Sequence, residues 1–188
     1  WLYYVLIFFA GARKLVLGSF VTLVLVQDFG LKVWQISTLM LTSSVINFFL
    51  APYLGSLIDR FGEQVTTPIV YSILALACLG YAFIGNLWLL VGLWLVMRVA
   101  MLMNIGLSTY VYRTAPAEEL APTLSAGVTF DHISSVGMPF LAEALLPVVQ
   151  YQGIFVGAAA LILISVPFAR ALQARIPAPA VPASAPSA

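Results

Sequence analysis

The chain has 188 residues, of which 62% are hydrophobic and 8% charged, with a mean hydropathy of +1.05. Soluble domains carry about 25% charged residues, so this inventory cannot cover a water-facing surface, and most of the exterior must meet lipid. Eight Lys and Arg against seven Asp and Glu leave a net charge of +1, which excludes a broad basic face for nucleic acid. The single cysteine, Cys78, excludes an internal disulfide and a cysteine-built metal cluster.

A spanning helix needs roughly 20 apolar residues. Six stretches qualify: Leu2–Leu25, Trp34–Leu57, Val65–Ile84, Leu87–Val111, Thr123–Pro147 and Tyr151–Arg170. The first is interrupted near its middle by Arg13 and Lys14, which disqualifies it as a secretory signal. The second carries Ser43, Ser44 and Asn47 at helical spacing. Between the second and third lies GSLIDRFGEQ, Gly55 to Gln64, the most polar stretch of the first hundred residues. In this turn Gly55 would let two helices approach closely, and Gly62 would supply the left-handed conformation that ends a helix and reverses the chain. Asp59 and Arg60 stay near the water interface, where the aspartate can meet the positive end of a neighbouring helix.

Cys78, in the third span, reads as a small buried hydrophobe. The fourth span has Arg98 near its middle and a stripe of Met101, Asn104 and Ser108. In the fifth, Asp131, Ser134, Ser135 and Met138 share a face at i, i+3, i+4 and i+7, with His132 beside them. After the sixth span, Ile176–Ala188 alternates Ala and Pro with Ser, a composition that cannot bury a core and predicts a disordered tail. The expected organisation is one six-helix transmembrane unit over residues 1–175, followed by the tail 176–188.

Two further patterns concern topology. APYLG (Ala51–Gly55) aligns with MPFLA (Met138–Ala142) at an offset of 87 residues, and at nearly the same offset Arg13 has a counterpart in Arg98. The copies are three helices apart, so the second is inverted in the bilayer, a three-plus-three arrangement typical of secondary transporters. Arg60, Arg113, Arg170 and Arg175 fall on one side and Lys32 on the other, which places both ends in the cytoplasm.

Charges at membrane depth cost about 2.5–3.5 kcal/mol on insertion scales and mark a cavity or a partner. Arg13, Lys14, Arg98, Asp131 and His132 are of this kind. In one reading the arginines bind an anionic group of a solute while Asp131 or His132 takes and releases a proton. In the other, Asp131 pairs with an arginine to lock helices together and His132 bonds a backbone group. The surplus of cations leans toward an anionic solute.

Other chemistries fail on spacing. Ser125 and His132 in LSAGVTFDH are seven residues apart on one helix, whereas a nucleophile and its base must come within about 3 Å. No His-Glu-x-x-His site or phosphate-cradling loop occurs, and no charge ring or carbonyl-rich loop suits a channel filter. No catalytic residue, metal or cofactor is implied. A non-transporting scaffold or receptor with the same helices stays open.

GSLIDRFGEQ resembles the cytoplasmic signature loop of the major facilitator superfamily, Gly-x-Leu-x-Asp-Arg-x-Gly followed by two basic residues. Gly55, Leu57, Asp59, Arg60 and Gly62 match, whereas Glu63 and Gln64 replace the basic pair. In that family the loop joins the second and third helices, and a weaker copy joins the eighth and ninth. The departure here suits the weaker copy. The resemblance covers residues 1–175 in helix pattern and fewer than fifteen in specific sequence. It implies an all-α integral membrane fold of six helices, the C-terminal half of a twelve-helix transporter, with the N-terminal half of the same polypeptide as partner. It also implies a lipid bilayer (a bacterial inner membrane), a small-molecule substrate and alternating access, to which a proton taken and released by Asp131 or His132 would add coupling to protons. In the resembled fold the first and fourth helices line the central cavity and the second and fifth flank it. Arg13, Lys14, Arg98, Asn104, Asp131 and His132 are then the candidates for the path.

Overall fold

A computed structural model describes residues 2–103 and 105–171. Its regular elements are helical: α1 (Leu2–Leu15), a π-helical turn (Val16–Phe20), α2 (Val21–Gln27), α3 (Val33–Phe61), α4 (Glu63–Phe83), α5 (Leu87–Leu102), α6 (Ile105–Thr114) and α7 (Ala117–Arg170). Four stretches are long and apolar enough to cross a membrane, namely Leu2–Gln27, Val33–Phe61, Glu63–Phe83 and Glu118–Arg170, with Leu87–Leu102 shorter. The expected tail 176–188 lies outside the described residues.

The first stretch is one continuous rod with a wide turn in it. A π turn inserts an extra residue and disturbs the i→i−4 ladder. Thr22 Oγ1 donates to the Gly18 carbonyl at 2.9 Å and supplies a local partner. α3 begins at Lys32, whose backbone N–H donates to Gln35 Oε1 at 2.8 Å, the back-reaching half of a capping box. It ends at Gly62, with φ 78° and ψ 162°. The positive φ is as the sequence implies, but ψ is extended rather than left-handed helical, a region essentially reserved for glycine. One residue thereby joins α3 to α4.

α4 buries one stripe at helical period: Tyr71, Leu74, Cys78 and Tyr81. At the far end Asn86 caps α5 by accepting from the N–H groups of Trp88 and Leu89. Tyr81 Oη then donates to the Leu90 carbonyl at 2.7 Å, pinning α4 to α5. The single fourth span expected over Leu87–Val111 is divided. Met103 closes α5 with its N–H on the Ala100 carbonyl at 3.1 Å, and α6 starts at Ile105.

α7 is 54 residues long, about 80 Å if straight, but it turns at Gln150 (φ 55°, ψ −178°) into arms 117–149 and 151–170. Each arm could span ~30 Å of hydrocarbon. The reversal is tight, since a Cβ on Gly153 would stand 2.5 Å from Val149 Cβ. Gln150 occupies a backbone region that costs about 1–3 kcal/mol for a residue with a side chain. Gln150→Gly is therefore expected to raise stability by about 1 kcal/mol net of glycine's entropy cost. A higher thermal unfolding midpoint in detergent is the check, and a lower one would refute the strained turn.

The centre of the bundle is α1–α2, α4 and the second arm of α7, where Leu6, Leu17, Tyr71, Leu74, Phe155 and Ile162 are closed off. Phe9 meets Phe168 and Tyr81 meets Phe155, at centroid separations of 6.2 and 5.3 Å. α3 lies at the edge: 11% of its apolar window is buried, against 59% for Leu2–Gln27 and 61% for α4. Its exposed Phe48, Phe49 and Tyr53 form an apolar exterior that suits lipid or another protein surface.

Candidate functional site

Lys14 Nζ lies 2.7 Å from Asp131 Oδ2, joining the middle of the first span to the first arm of α7 across 117 positions of sequence. Close helix contact brings the two together. A Cβ on Gly11 would sit 2.6 Å from the Asp131 carbonyl oxygen and 3.0 Å from Ser134 Cβ. The glycine thus lets the backbones meet where branched residues would hold them apart. Ser134 Oγ donates to the Phe8 carbonyl at 2.8 Å, and Tyr4 and Phe130 touch with centroids 5.5 Å apart. One helical turn before Asp131, Gly127 receives the Tyr3 ring, and a Cβ there would overlap it.

The pair opens into a cleft of about 250 Å³ between α1, α6 and the first arm of α7. Tyr3, Ile7, Ala10 and Lys14 line it from α1 at i, i+4, i+7 and i+11, and Leu124, Gly127, Val128 and Asp131 from α7. Met101 and Ser108 close the third side. The lysine side chain is 53% exposed and the aspartate 18%, so the ammonium faces the open side and the carboxylate sits at the wall.

The structure separates residues that the sequence groups together. Arg13 and Lys14 are consecutive, hence about 100° apart around the helix. Lys14 reaches the cleft, whereas Arg13 is 1% exposed and holds its guanidinium 4.0 Å from the centre of the Tyr71 ring. A desolvated cation over an aromatic face gains about 2 kcal/mol, so Arg13 ties α1 to α4. Arg98 lies over Trp94 at 5.2 Å, outside the lining of the cleft that Met101 joins. His132 is exposed, and Asn104 lies outside the described residues. The polar face of the fifth span is divided too. Ser134 and Ser135 donate to the Phe8 and Asp131 carbonyls, and Met138 borders a separate apolar groove with Arg13. The partner of Asp131 is a lysine, not an arginine. Met101 and Ser108 of the fourth-span stripe do line the cleft, and Tyr3 is a cleft residue that the sequence reading does not single out. The sequence signal for Tyr3 was its place three turns before Lys14 on one face.

At the other end of α3, Asp59 and Arg60 are exposed, with the Arg60 guanidinium 5.5 Å from the Phe61 ring. Leu57 is 42% exposed, while Ile58 and Glu63 are buried. A Cβ on Gly55 would meet nothing within 4 Å. The close helix approach expected at Gly55 is found instead at Gly11 and Gly127.

The sequence profile described as Major Facilitator Superfamily matches residues 2–187. The chain belongs to the major facilitator superfamily. No curated protein and no solved structure matches it. Members of the major facilitator superfamily are generally transporters rather than enzymes. With its apolar helices, membership marks this chain as an integral membrane protein and points to transport of a solute.

Proposed function

We propose that the chain is one six-helix half, built as a three-plus-three inverted repeat, of a secondary active transporter that moves a small solute by alternating access with proton coupling. The observation that carries this reading is the Lys14–Asp131 pair in a cleft at mid-span. An ion pair there holds the cleft at zero net charge. A proton on Asp131 together with an anionic solute on Lys14 also leaves zero net charge. Either ligand alone would leave a net charge in the cleft, which is unfavourable at membrane depth. Coupling follows from that difference. The N-terminal half of the same polypeptide would complete the path, and the membrane would be a bacterial inner membrane with both ends in the cytoplasm. Asp59, in the last turn of α3, would make and break contacts as the halves rock.

The test is reconstitution of the protein purified from its own membrane into vesicles loaded with a pH-sensitive dye. Small carboxylates are expected to acidify the lumen, and uncharged solutes of equal size are not. Asp59 is exposed, so Asp59→Asn should insert normally yet lose this flux. If no solute of any charge class moves, or if Asp59→Asn transports at the wild-type rate, the reading fails.

A further inference from the structure

At the end of the bundle opposite Asp59, a second cleft of about 240 Å³ is lined by Asp28, Phe29, Tyr81, Phe83, Tyr151 and Phe155, among others. We infer that it binds a small organic cation bearing an alkylated ammonium group, at a site distinct from the Lys14–Asp131 cleft. Five of these six residues are aromatic, and the sixth is a carboxylate. Tyr81 and Phe155 form the floor, 6% and 1% exposed, with ring centroids 5.3 Å apart. Phe83, 75% exposed, stands at the rim.

The two tyrosine hydroxyls of the lining are already committed. Tyr81 Oη donates to the Leu90 carbonyl and Tyr151 Oη to Gln27 Oε1. The two rings therefore offer apolar surface rather than free hydroxyl donors. Apart from Asp28, the lining adds one more polar side chain, Gln152, which disfavours a sugar-like ligand that needs several polar partners. The aromatic lining favours a cation whose charge is wrapped in methyl or methylene groups, the kind aromatic walls recognise.

Charge points the same way. Asp28 makes no ion pair or side-chain hydrogen bond among the described residues. Lys32, the basic residue nearest it in sequence, is not in the lining. Asp28 caps the C-terminal end of the Leu2–Gln27 rod, and α4 ends beside it at Phe83. Two helix C-termini add partial negative charge to that of the carboxylate. The volume lies just below the ~300–1,000 Å³ usual for small-molecule sites, which limits the ligand to a compact head group.

The experiment is calorimetric titration of the protein in an uncharged maltoside micelle with choline and with its uncharged isostere, 3,3-dimethylbutan-1-ol. Choline is expected to bind at least ten-fold more tightly than the alcohol. Asp28→Asn should weaken choline about ten-fold and Phe83→Leu about three-fold. Both side chains are exposed, so neither change threatens the fold. Equal binding of choline and the alcohol, or an unchanged affinity in Asp28→Asn, overturns the proposal. Diheptanoylphosphatidylcholine, titrated below its micelle concentration, distinguishes a free cation from a lipid head group. Saturable binding of that lipid with none of choline would overturn the free ligand.

Discussion

Gly11→Val is expected to destabilise the protein more than any other single glycine substitution in its first span. A Cβ at Gly11 meets the Asp131 carbonyl oxygen at 2.6 Å and the Asp131 Cα at 3.1 Å, both backbone atoms of the facing helix. A flexible side chain could swing away from such a contact, but a helix backbone cannot, so α1 and α7 must part. That separation pulls on the Ser134 bond to the Phe8 carbonyl, the Lys14–Asp131 pair and the seat of Tyr3 on Gly127. Overpacking typically costs about 1–3 kcal/mol. With three linked contacts at risk, a loss of about 3 kcal/mol is expected for valine and about half that for alanine. Gly92, on α5, has nothing within 4 Å of where a Cβ would stand, so Gly92→Ala should gain up to about 1 kcal/mol from helix propensity alone. Thermal unfolding in detergent ranks the variants. If Gly11→Val unfolds no earlier than Gly92→Ala, the two helices do not meet at Gly11.

The difference between these glycines shows which parts of the molecule can be read from sequence. Gly62 was legible because its role is local: a charged turn between two apolar runs needs a residue that tolerates positive φ, and the surrounding ten residues supply the context. Gly11 was not, because what it faces is 120 positions away and a lone glycine in an apolar run has no distinctive neighbours. The π turn at Val16–Phe20 is hidden for a related reason. VLGSF reads as ordinary apolar helix, and its wider turn appears only in the folded rod. Arg13 and Lys14 were visible as costly charges at membrane depth. Adjacency in sequence suggested a joint positive surplus, whereas the 100° step around a helix sends one to an aromatic ring in the core and the other to the cleft. Composition and period revealed the helices; which buried charge meets which partner depends on long-range packing.

Lys14 and Asp131 offer the second large effect, and a way to divide locking from transport. Removing one member of a fully buried ion pair costs about 3–5 kcal/mol. The lysine is 53% exposed, so the figure must be discounted, and about 1–2 kcal/mol is expected for Asp131→Leu or Lys14→Met alone. Replacing both with apolar residues of similar size removes the stranded charge, and such replacements of ion pairs are often neutral or stabilising. The double variant should therefore unfold within about 0.5 kcal/mol of wild type, giving a coupling of at least about 1 kcal/mol in the double-mutant cycle. Proton-linked flux in vesicles should be lost in all three variants, because the double change restores the packing but neither a proton acceptor nor a cation for the solute. Stability recovered without transport would show that the pair does more than hold α1 against α7. If the double variant recovers both, the pair is only a lock between two helices, and the coupling group must be sought elsewhere in the bundle.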